Sequence, residues 1–433
     1  TPVIDFSAVR LLMTIACVIK GLVIHQVDVK SAFLYGELDE DIYITLPKAI
    51  ETDPGKTYKL RKSLYGLKQA PKAWFEKVTS DLESIGFRSA QTVEGLYIRK
   101  GDKNTAYLVL YVDDMLIFTE EEDEAREIVS LLQKIYEIKD LGEAEYFLGI
   151  KISRPHKNRI ELSQTKYIKE LLERFGMQDC KPCSTPLTPT PTLYEQHERT
   201  ADEQREMENV PYREAIGALL FLSTRTRPDI AVPVNVLAKH SNTPRPEHWR
   251  GVKRILRYLS ATAELTLCIS NEVGEKETIV QCYVDADWAA DSSDRSSRTG
   301  VLCTVNGNAV WWRSRKQNSI AVSTCEAEYM ALFEGAKDVL WLRNAVCELG
   351  FCPGAQKTTV FHDNQSSISW TENPGLRKVK HIELRYNFSR DLVQKGIINL
   401  QYIPSDQNAA DFLTKILTLI PLKRGRLLAG MSG

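Results

Sequence analysis

The chain has 433 residues, room for roughly two to four domains of ordinary size. Hydrophobic residues make up 43% and charged residues 26%, which excludes a wholly disordered, collagen-like or disulfide-scaffold chain, and no window approaches the ~18 uninterrupted apolar residues of a membrane span. Against 57 acidic residues stand 56 basic ones, a net charge of −1, so any attraction for a polyanion must come from local basic patches.

In chain order, residues 5–21 carry helical periodicity through Val9, Leu12, Met13, Ala16 and Cys17, and residues 22–29 read as a strand. Short strands follow at 42–44 and 58–60. Residues 71–85 set Trp74, Val78, Leu82 and Ile85 on one helical face, with Pro71 in the first turn. Strands at 96–98 and 107–112 flank the turn residues Gly101-Asp102-Lys103-Asn104. Asp113-Asp114 come next, and 115–118 continues as apolar strand. The helix over 120–136 opens on acidic residues, Glu120 to Glu124, which suits a helix N-terminus. Residues 147–152 read as one strand and 164–175 as a helix.

Residues 180–208 hold Pro182, Pro186, Pro189 and Pro191 and then a charged run, which is linker chemistry. Beyond it, 211–260 is helical, 278–313 returns to strands and 325–349 is one long helix. Strands are expected at 358–362 and 397–403, and a last helix from 409 to 415. There is no internal repeat. This order predicts two mixed α and β domains joined by a helical segment.

Nine scattered cysteines, an odd number, fit reduced thiols of an intracellular compartment; Cys180 and Cys183 lack a second pair at zinc-ligand spacing and read as loop cysteines. No charged segment leads into an apolar core at the start, so no signal peptide is expected, and the opening at Thr1 fits a fragment or processed product.

Carboxylates in apolar surroundings carry the chemistry. Asp28 ends an apolar strand, and Asp113 and Asp114 interrupt Tyr111-Val112-Asp113-Asp114-Met115-Leu116. Acids there are costly unless paired or bound to a cation. Successive strand residues face opposite ways, so Asp113 and Asp114 can meet at one edge only across a tight turn. A second set lies further on: Asp285 after the strand 279–284, Glu328 in the long helix, Asp363 at the end of 358–362 and Asp411 at a helix start. Each set suits two cations acting on a phosphodiester. Between them, Arg250, Lys253, Arg254 and Arg257 line one side of a helix whose other side carries Trp249, Val252, Leu256 and Leu259, a pattern that suits phosphate contact or a solvated face.

The wording Gln26-Val27-Asp28-Val29-Lys30-Ser31-Ala32-Phe33-Leu34-Tyr35-Gly36, Leu64-Tyr65-Gly66-Leu67-Lys68-Gln69-Ala70-Pro71-Lys72-Ala73-Trp74 and Leu110-Tyr111-Val112-Asp113-Asp114 resembles the palm of a copia-type LTR-retrotransposon reverse transcriptase. Tyr283-Val284-Asp285-Ala286-Asp287-Trp288-Ala289, Ser323-Thr324-Cys325-Glu326-Ala327-Glu328-Tyr329-Met330-Ala331, Asp363-Asn364-Gln365 and Ala410-Asp411-Phe412-Leu413-Thr414-Lys415 resemble the ribonuclease H domain of the same Pol polyproteins.

The resemblance implies an α+β fold: partial (truncated) fingers and palm of a right-hand polymerase over 1–162, thumb and connection over 163–270 with the linker 180–208, and a ribonuclease H-like mixed sheet over 271–433. It implies RNA-directed DNA polymerase and ribonuclease H activities, with two Mg2+ ions per site. Asp28 and Asp113 would be metal ligands with Asp114 in support, and Asp285, Glu328, Asp363 and Asp411 the nuclease ligands. Phe33 would be the gate against ribonucleotides, Gln69 a contact to the incoming nucleotide, and Arg250, Lys253, Arg254 and Arg257 contacts to the template–primer backbone. Residues 147–152 resemble the strand that grips the primer end. Glu328 is preferred to Glu326 because Glu-Tyr-Met-Ala matches the family's helix, Asp287 is left out, and Lys380-His381-Ile382 matches family wording with no role for His381. Expected partners are an RNA template, RNA–DNA hybrid, primer, dNTPs and other Pol segments such as integrase, with no membrane, in a cytoplasmic virus-like particle or the nucleus. Basic fingers residues would precede Thr1 in this family. The alternative is a truncated, inactive or domesticated remnant that binds nucleic acid without polymerising.

Overall fold

The apolar run that ends at Asp28 becomes an inner strand of a six-stranded antiparallel sheet. The computed structural model describes residues 3–46, 49, 55–102, 104–190, 193, 199–271, 277–291, 293–354, 356–372 and 383–433; Lys380-His381-Ile382 lies outside them. The chain divides into two compact units, 1–16 with 20–145 and 17–19 with 146–433.

In the first unit, helix α1 (Phe6–Thr14) is capped by Asp5, whose carboxylate accepts from the Ser7 N–H at 2.8 Å. Strand β1 (Val23–Val29), the hairpin β2 (Tyr43–Thr45) and β3 (Thr57–Lys59), and α2 (Ala70–Ser84) follow. Then come β4 (Arg88–Ser89), β5 (Leu96–Lys100), β6 (Thr105–Tyr111), β7 (Asp114–Thr119), α3 (Glu122–Gln133) and β8 (Ile138–Glu143). The sheet runs β4-β5-β6-β7-β1-β8, antiparallel throughout. Both helices cover one face: Trp74, Val78 and Leu82 of α2 and Ile128, Val129 and Leu132 of α3 pack with Val27, Val29, Leu110, Met115 and Ile117. Because Val27, Val29 and Met115 face this core, strand alternation turns Asp28 and Asp114 to the opposite face.

The second unit opens with β9 (Tyr146–Phe147), β10 (Ile150–His156) and β11 (Arg159–Ser163). The sequence reads 147–152 as one strand. The structure folds it into a hairpin instead, because Leu148 and Gly149 both take positive φ (51° and 76°), the geometry of a two-residue turn that matches strand twist. Helices α4 (Thr165–Arg174), α5 (Ala201–Met207), α6 (Tyr212–Arg225), α7 (Ala231–Ala238) and α8 (Pro246–Ala261) lead to β12 (Thr266–Ser270). They share a core of Leu171, Tyr212, Leu219, Leu237, Val252 and Leu256. The proline-rich segment is not free of this core: Leu187 is buried in it, Arg254 donates to the Thr185 hydroxyl at 2.8 Å and Arg257 to the Lys181 carbonyl at 2.6 Å.

Next come β13 (Val280–Asp287), β14 (Arg298–Val305), β15 (Asn308–Lys316), α9 (Thr324–Glu348), β16 (Thr358–His362), α10 (Gln365–Glu372), α11 (Glu383–Gln394), β17 (Ile398–Tyr402), α12 (Leu419–Leu428) and β18 (Met431–Ser432). The sheet runs β15-β14-β13-β16-β17; β14 is antiparallel to both β15 and β13, β16 pairs with β13 in parallel and β17 with β16 in parallel. The last helix expected at 409–415 is only a 3-10 turn over Asp411–Leu413, and the regular helix starts at Leu419. Gly425 lets α12 close on Phe412, where a Cβ would come within 2.6 Å of that ring, and β18 pairs with β12.

The expectation of reduced thiols is corrected at one place. Gly350, at φ 92°, turns the chain back after α9 so that Cys347 and Cys352 bond as a disulfide; the other seven cysteines are free.

His240 and His248 stack in the helical part with ring centroids 3.7 Å apart. Burial, reinforced by its neighbours His240 and Arg245, holds the His248 pKa down to about 3, and burial also lowers that of His240. The unfolded chain therefore binds protons that the folded chain excludes, so stability is full above about pH 6.5 and is lost as pH falls toward 3. Thermal unfolding of His248→Asn, which can keep an acceptor for the Arg245 N–H (3.0 Å in the native pair), should show a shallower acid limb than the native protein. Equal limbs would remove the pair as the cause.

Candidate active sites

The first cluster is built at the β6–β7 turn. Tyr111 and Asp114 form the last cross-strand pair, leaving Val112 and Asp113 as the two turn residues. Val112 has φ 59°, a strained conformation for a β-branched residue. The Trp74 indole N–H donates to its carbonyl at 2.6 Å, and the Val29 N–H donates to the Asp113 carbonyl at 2.9 Å. Asp114 stands directly opposite Asp28. The turn thus supplies the break that two adjacent acids need to reach one edge. Burial raises the Asp114 pKa, the Asp113 and Asp28 charges raise it further, and a hydrogen bond from Gln26 works against them.

Phe33 lies in a 3-10 turn over Ala32–Tyr35 and meets the Tyr65 ring edge-on at 4.9 Å. The Ser63 hydroxyl donates to the Phe33 carbonyl. Gly36 allows this turn to approach α2: a Cβ there would lie 2.9 Å from the Trp74 nitrogen. Gln69 is the N-cap of α2, half-buried, and its carbonyl accepts from the Ala73 N–H at 3.0 Å.

The second cluster is tighter. Among the described residues, the only group of three His, Cys, Asp or Glu residues whose ligating atoms all lie within 4.8 Å of one another is Glu328, His362 and Asp363. Asp285 (4% exposed) comes from β13, Glu328 (5%) from α9, and Asp363 follows β16, which lies beside β13. Among the described residues, Glu328 Oε2 and Asp363 Oδ1 are buried with no hydrogen-bond partner; Asp363 Oδ2 accepts from the Ser405 hydroxyl at 2.6 Å. Such orphaned carboxylate oxygens fit a divalent cation. The Thr414 hydroxyl donates to Asp285 at 2.5 Å, and Lys415 pairs with Asp411 at 2.5 Å.

Burial, with the Asp363 charge next in size, pushes the Asp285 pKa up to about 7. Burial, then Asp285 and Asp363, pushes Glu328 up to about 10. Glu326 is spoken for locally, accepting from the Val322 N–H at 2.8 Å within its own helix cap, so geometry separates it from Glu328. Burial also raises Asp287, which lies near Lys415, Arg298 and Asp411. Sequence reading missed His362, fully buried with Nδ1 3.9 Å from Glu328 Oε2 and its pKa held down to about 4 by burial; its one signal was position, next to Asp363 at a strand end.

On α8, Arg250 is exposed and Lys253 half-buried; with Arg254, Arg257 and Glu247 they line a groove beside Met177, Leu187 and Thr188.

Residues 1–189 match the family described as reverse transcriptase (RNA-dependent DNA polymerase). The chain is 38% identical to a retrovirus-related Pol polyprotein from transposon TNT 1-94 of Nicotiana tabacum, over 100% of this chain and 32% of that polyprotein. It is 32% identical to a putative transposon Ty5-1 protein of Saccharomyces cerevisiae, over 72% of this chain and 100% of that protein. A foamy viral protease-reverse transcriptase solved in complex with RNA/DNA hybrid is similar with a TM-score of 0.46 at 14% identity, over 92% of this chain and 48% of that one. The fold is α+β, with a mixed five-stranded sheet carrying the second acid cluster. The chain belongs to the reverse transcriptases of copia-type retrotransposon Pol polyproteins. It spans about a third of the length of the tobacco relative.

Proposed function

We propose that this chain extends a primer on an RNA or DNA template at Asp28, Asp113 and Asp114, and hydrolyses the RNA of RNA–DNA hybrids at Asp285, Glu328, Asp363 and Asp411. The observation that carries the reading is the pair of separate acid clusters, each gathering carboxylates from distant parts of the chain, the second with orphaned buried oxygens. Carboxylates this close repel one another, and each set would hold two Mg2+ ions, which supply charge neutralisation at the attacking and leaving oxygens of an in-line displacement.

In the first site Asp28 and Asp113 would hold the cations and Asp114, partly buried, would support them; the Val112 turn fixes where Asp113 points. Phe33 takes the place next to the sugar and Gln69 that next to the nucleotide. In the second site Thr414 fixes the rotamer of Asp285, Ser405 fixes Asp363, and Lys415 offsets the charge of Asp411. Arg250 and Lys253, with Arg254 and Arg257 behind them, meet backbone phosphates, which positions a duplex without reading its sequence. The three domains are the palm with partial fingers over 1–162, the thumb and connection over 163–270 and the nuclease over 271–433. They would act beside other Pol segments such as integrase, in a cytoplasmic virus-like particle or the nucleus. No described helix is long and apolar enough to cross a membrane.

The test is a purified chain with Mg2+, given a labelled primer on an RNA template and, separately, a labelled hybrid. Extension and cleavage, both removed by EDTA, are expected; a folded protein that does neither sinks the proposal. Protons compete with the cation at Glu328 and Asp285, so Mg2+ affinity should weaken as pH falls from about 10 through about 7, with proton release on binding. Calorimetry in two buffers of different ionisation enthalpy measures that release, and pH-independent binding without it would contradict the assignment.

A further inference from the structure

Next to the second acid cluster the usual burial pattern is inverted. Ile320 and Val322 are 63% and 79% exposed, while the residue between them, Ala321, is 4% exposed. The small side chain points inward, onto Ala286, Ala327, Met330 and Ala331, and the two large β-branched ones point out. Trp288, 41% exposed, is tied to the same loop by a hydrogen bond from its indole N–H to the Ala321 carbonyl at 3.1 Å. Single exposed apolar residues are ordinary; three brought to one place by a specific hydrogen bond are a contact surface.

The ledge is continuous with the acid cluster through the chain on both sides. Trp288 follows the last residue of β13, the strand that carries Asp285, and Val322 stands two residues before α9, the helix that carries Glu328. The Val322 N–H also donates to Glu326 at 2.8 Å, which fixes the loop to the first turn of that helix. The charge set over the ledge is positive: the Arg295 guanidinium lies 5.7 Å from the Trp288 ring centroid.

We propose that Trp288, Ile320 and Val322 form a ledge on which an RNA–DNA hybrid rests its sugar and base edges while its scissile phosphate lies at the acid cluster, with Arg295 facing the polyanion. The inference rests on the hydrolytic reading given above. An apolar ledge adds affinity that salt does not screen, because it displaces no counterions from phosphates. It complements the phosphate contacts of a basic helix, which position a duplex but fade as salt rises.

The test compares the full chain with Ile320→Ser/Val322→Ser by fluorescence anisotropy of a labelled hybrid, in EDTA to prevent cleavage, across a salt series. The expected result is about a tenfold or greater loss of affinity with an unchanged slope of log K against log salt and an unchanged Tm. A second measurement does not depend on how that variant folds: hybrid should quench a component of the native tryptophan fluorescence that is absent from Trp288→Phe. Native affinity in the double variant, a shallower salt slope, equal quenching in Trp288→Phe, or a change in oligomeric state on mutation would each overturn the ledge. Cleavage by the native chain separates the two claims: if it cleaves hybrid while the ledge variants bind as well as it does, only the ledge falls. If the folded native chain neither binds nor cleaves hybrid, the hydrolytic reading falls and the ledge with it.

Discussion

Asp363→Asn is expected to abolish hybrid cleavage, by on the order of 1,000-fold or more, and to leave primer extension at the native rate. Among the described residues Asp363 Oδ1 is buried without a hydrogen-bond partner, which leaves that oxygen available to a cation from solution. The asparagine keeps the shape and can still accept from Ser405, but it removes the charge on which cation binding depends. A loss of that size corresponds to about 4 kcal/mol of transition-state stabilisation. The mirror experiment is Asp113→Asn, which should lose extension, retain duplex binding and keep cleavage. The two losses separate because the carboxylates come from different sheets, Asp113 from the turn of the six-stranded one and Asp363 from the end of a strand of the mixed one. Gel analysis of both reactions with both variants decides the matter. Extension by Asp113→Asn equal to native, or cleavage by Asp363→Asn within tenfold of native, would refute the corresponding assignment.

The second large effect is on stability. Arg227 and Asp229 flank Pro228 inside the helical part, and both side chains are 0% exposed. The guanidinium donates twice to the carboxylate, at 2.9 and 2.8 Å, and also to the Thr262 carbonyl and hydroxyl at 2.9 and 2.7 Å. The Tyr258 hydroxyl donates to Asp229 at 2.5 Å. Asp229→Ala would leave a cation inside the core without its counter-charge, at a cost of about 3–5 kcal/mol. In a unit of this size that is a fall in Tm of roughly 6–20 °C. Replacing both partners, as Arg227→Met with Asp229→Leu, should recover most of the loss, because no charge is then stranded. Thermal unfolding of the three proteins tests this, and a drop below about 1 kcal/mol for Asp229→Ala would mean that water or another group reaches Arg227.

Long periodic segments were legible without coordinates. The helix read over 325–349 is α9, Thr324–Glu348, and the helix with Trp74, Val78 and Leu82 on one face is α2. The strands at 358–362 and 397–403 stand where expected. Apolar period carried these, because one buried face is a property of neighbours in sequence. Breaks inside apolar runs were not legible. Leu148-Gly149 looks like strand interior until pairing of Phe147 with Ile150 demands a turn. The tail after Lys415 has no strong period, yet Leu422 enters the helical core and Met431 pairs with Leu267, partners more than a hundred residues away.

The same division runs through the sites. Sequence alone determined the acids: carboxylates set against apolar strands and helices, where ionised groups are costly without a purpose, in wording that matches one family. It also determined that Asp113 and Asp114 need a turn between them to meet at one edge. Family wording separates Glu328 from Glu326; tertiary structure alone decided that Glu328 lies against Asp285 and Asp363, that His362 stands among them, and that two of the basic residues on α8 also hold the proline-rich segment. The reason is physical: a residue's type and local period are written in its neighbours, but proximity of groups far apart in the sequence, and the desolvation that tunes them, exist only once the chain has packed.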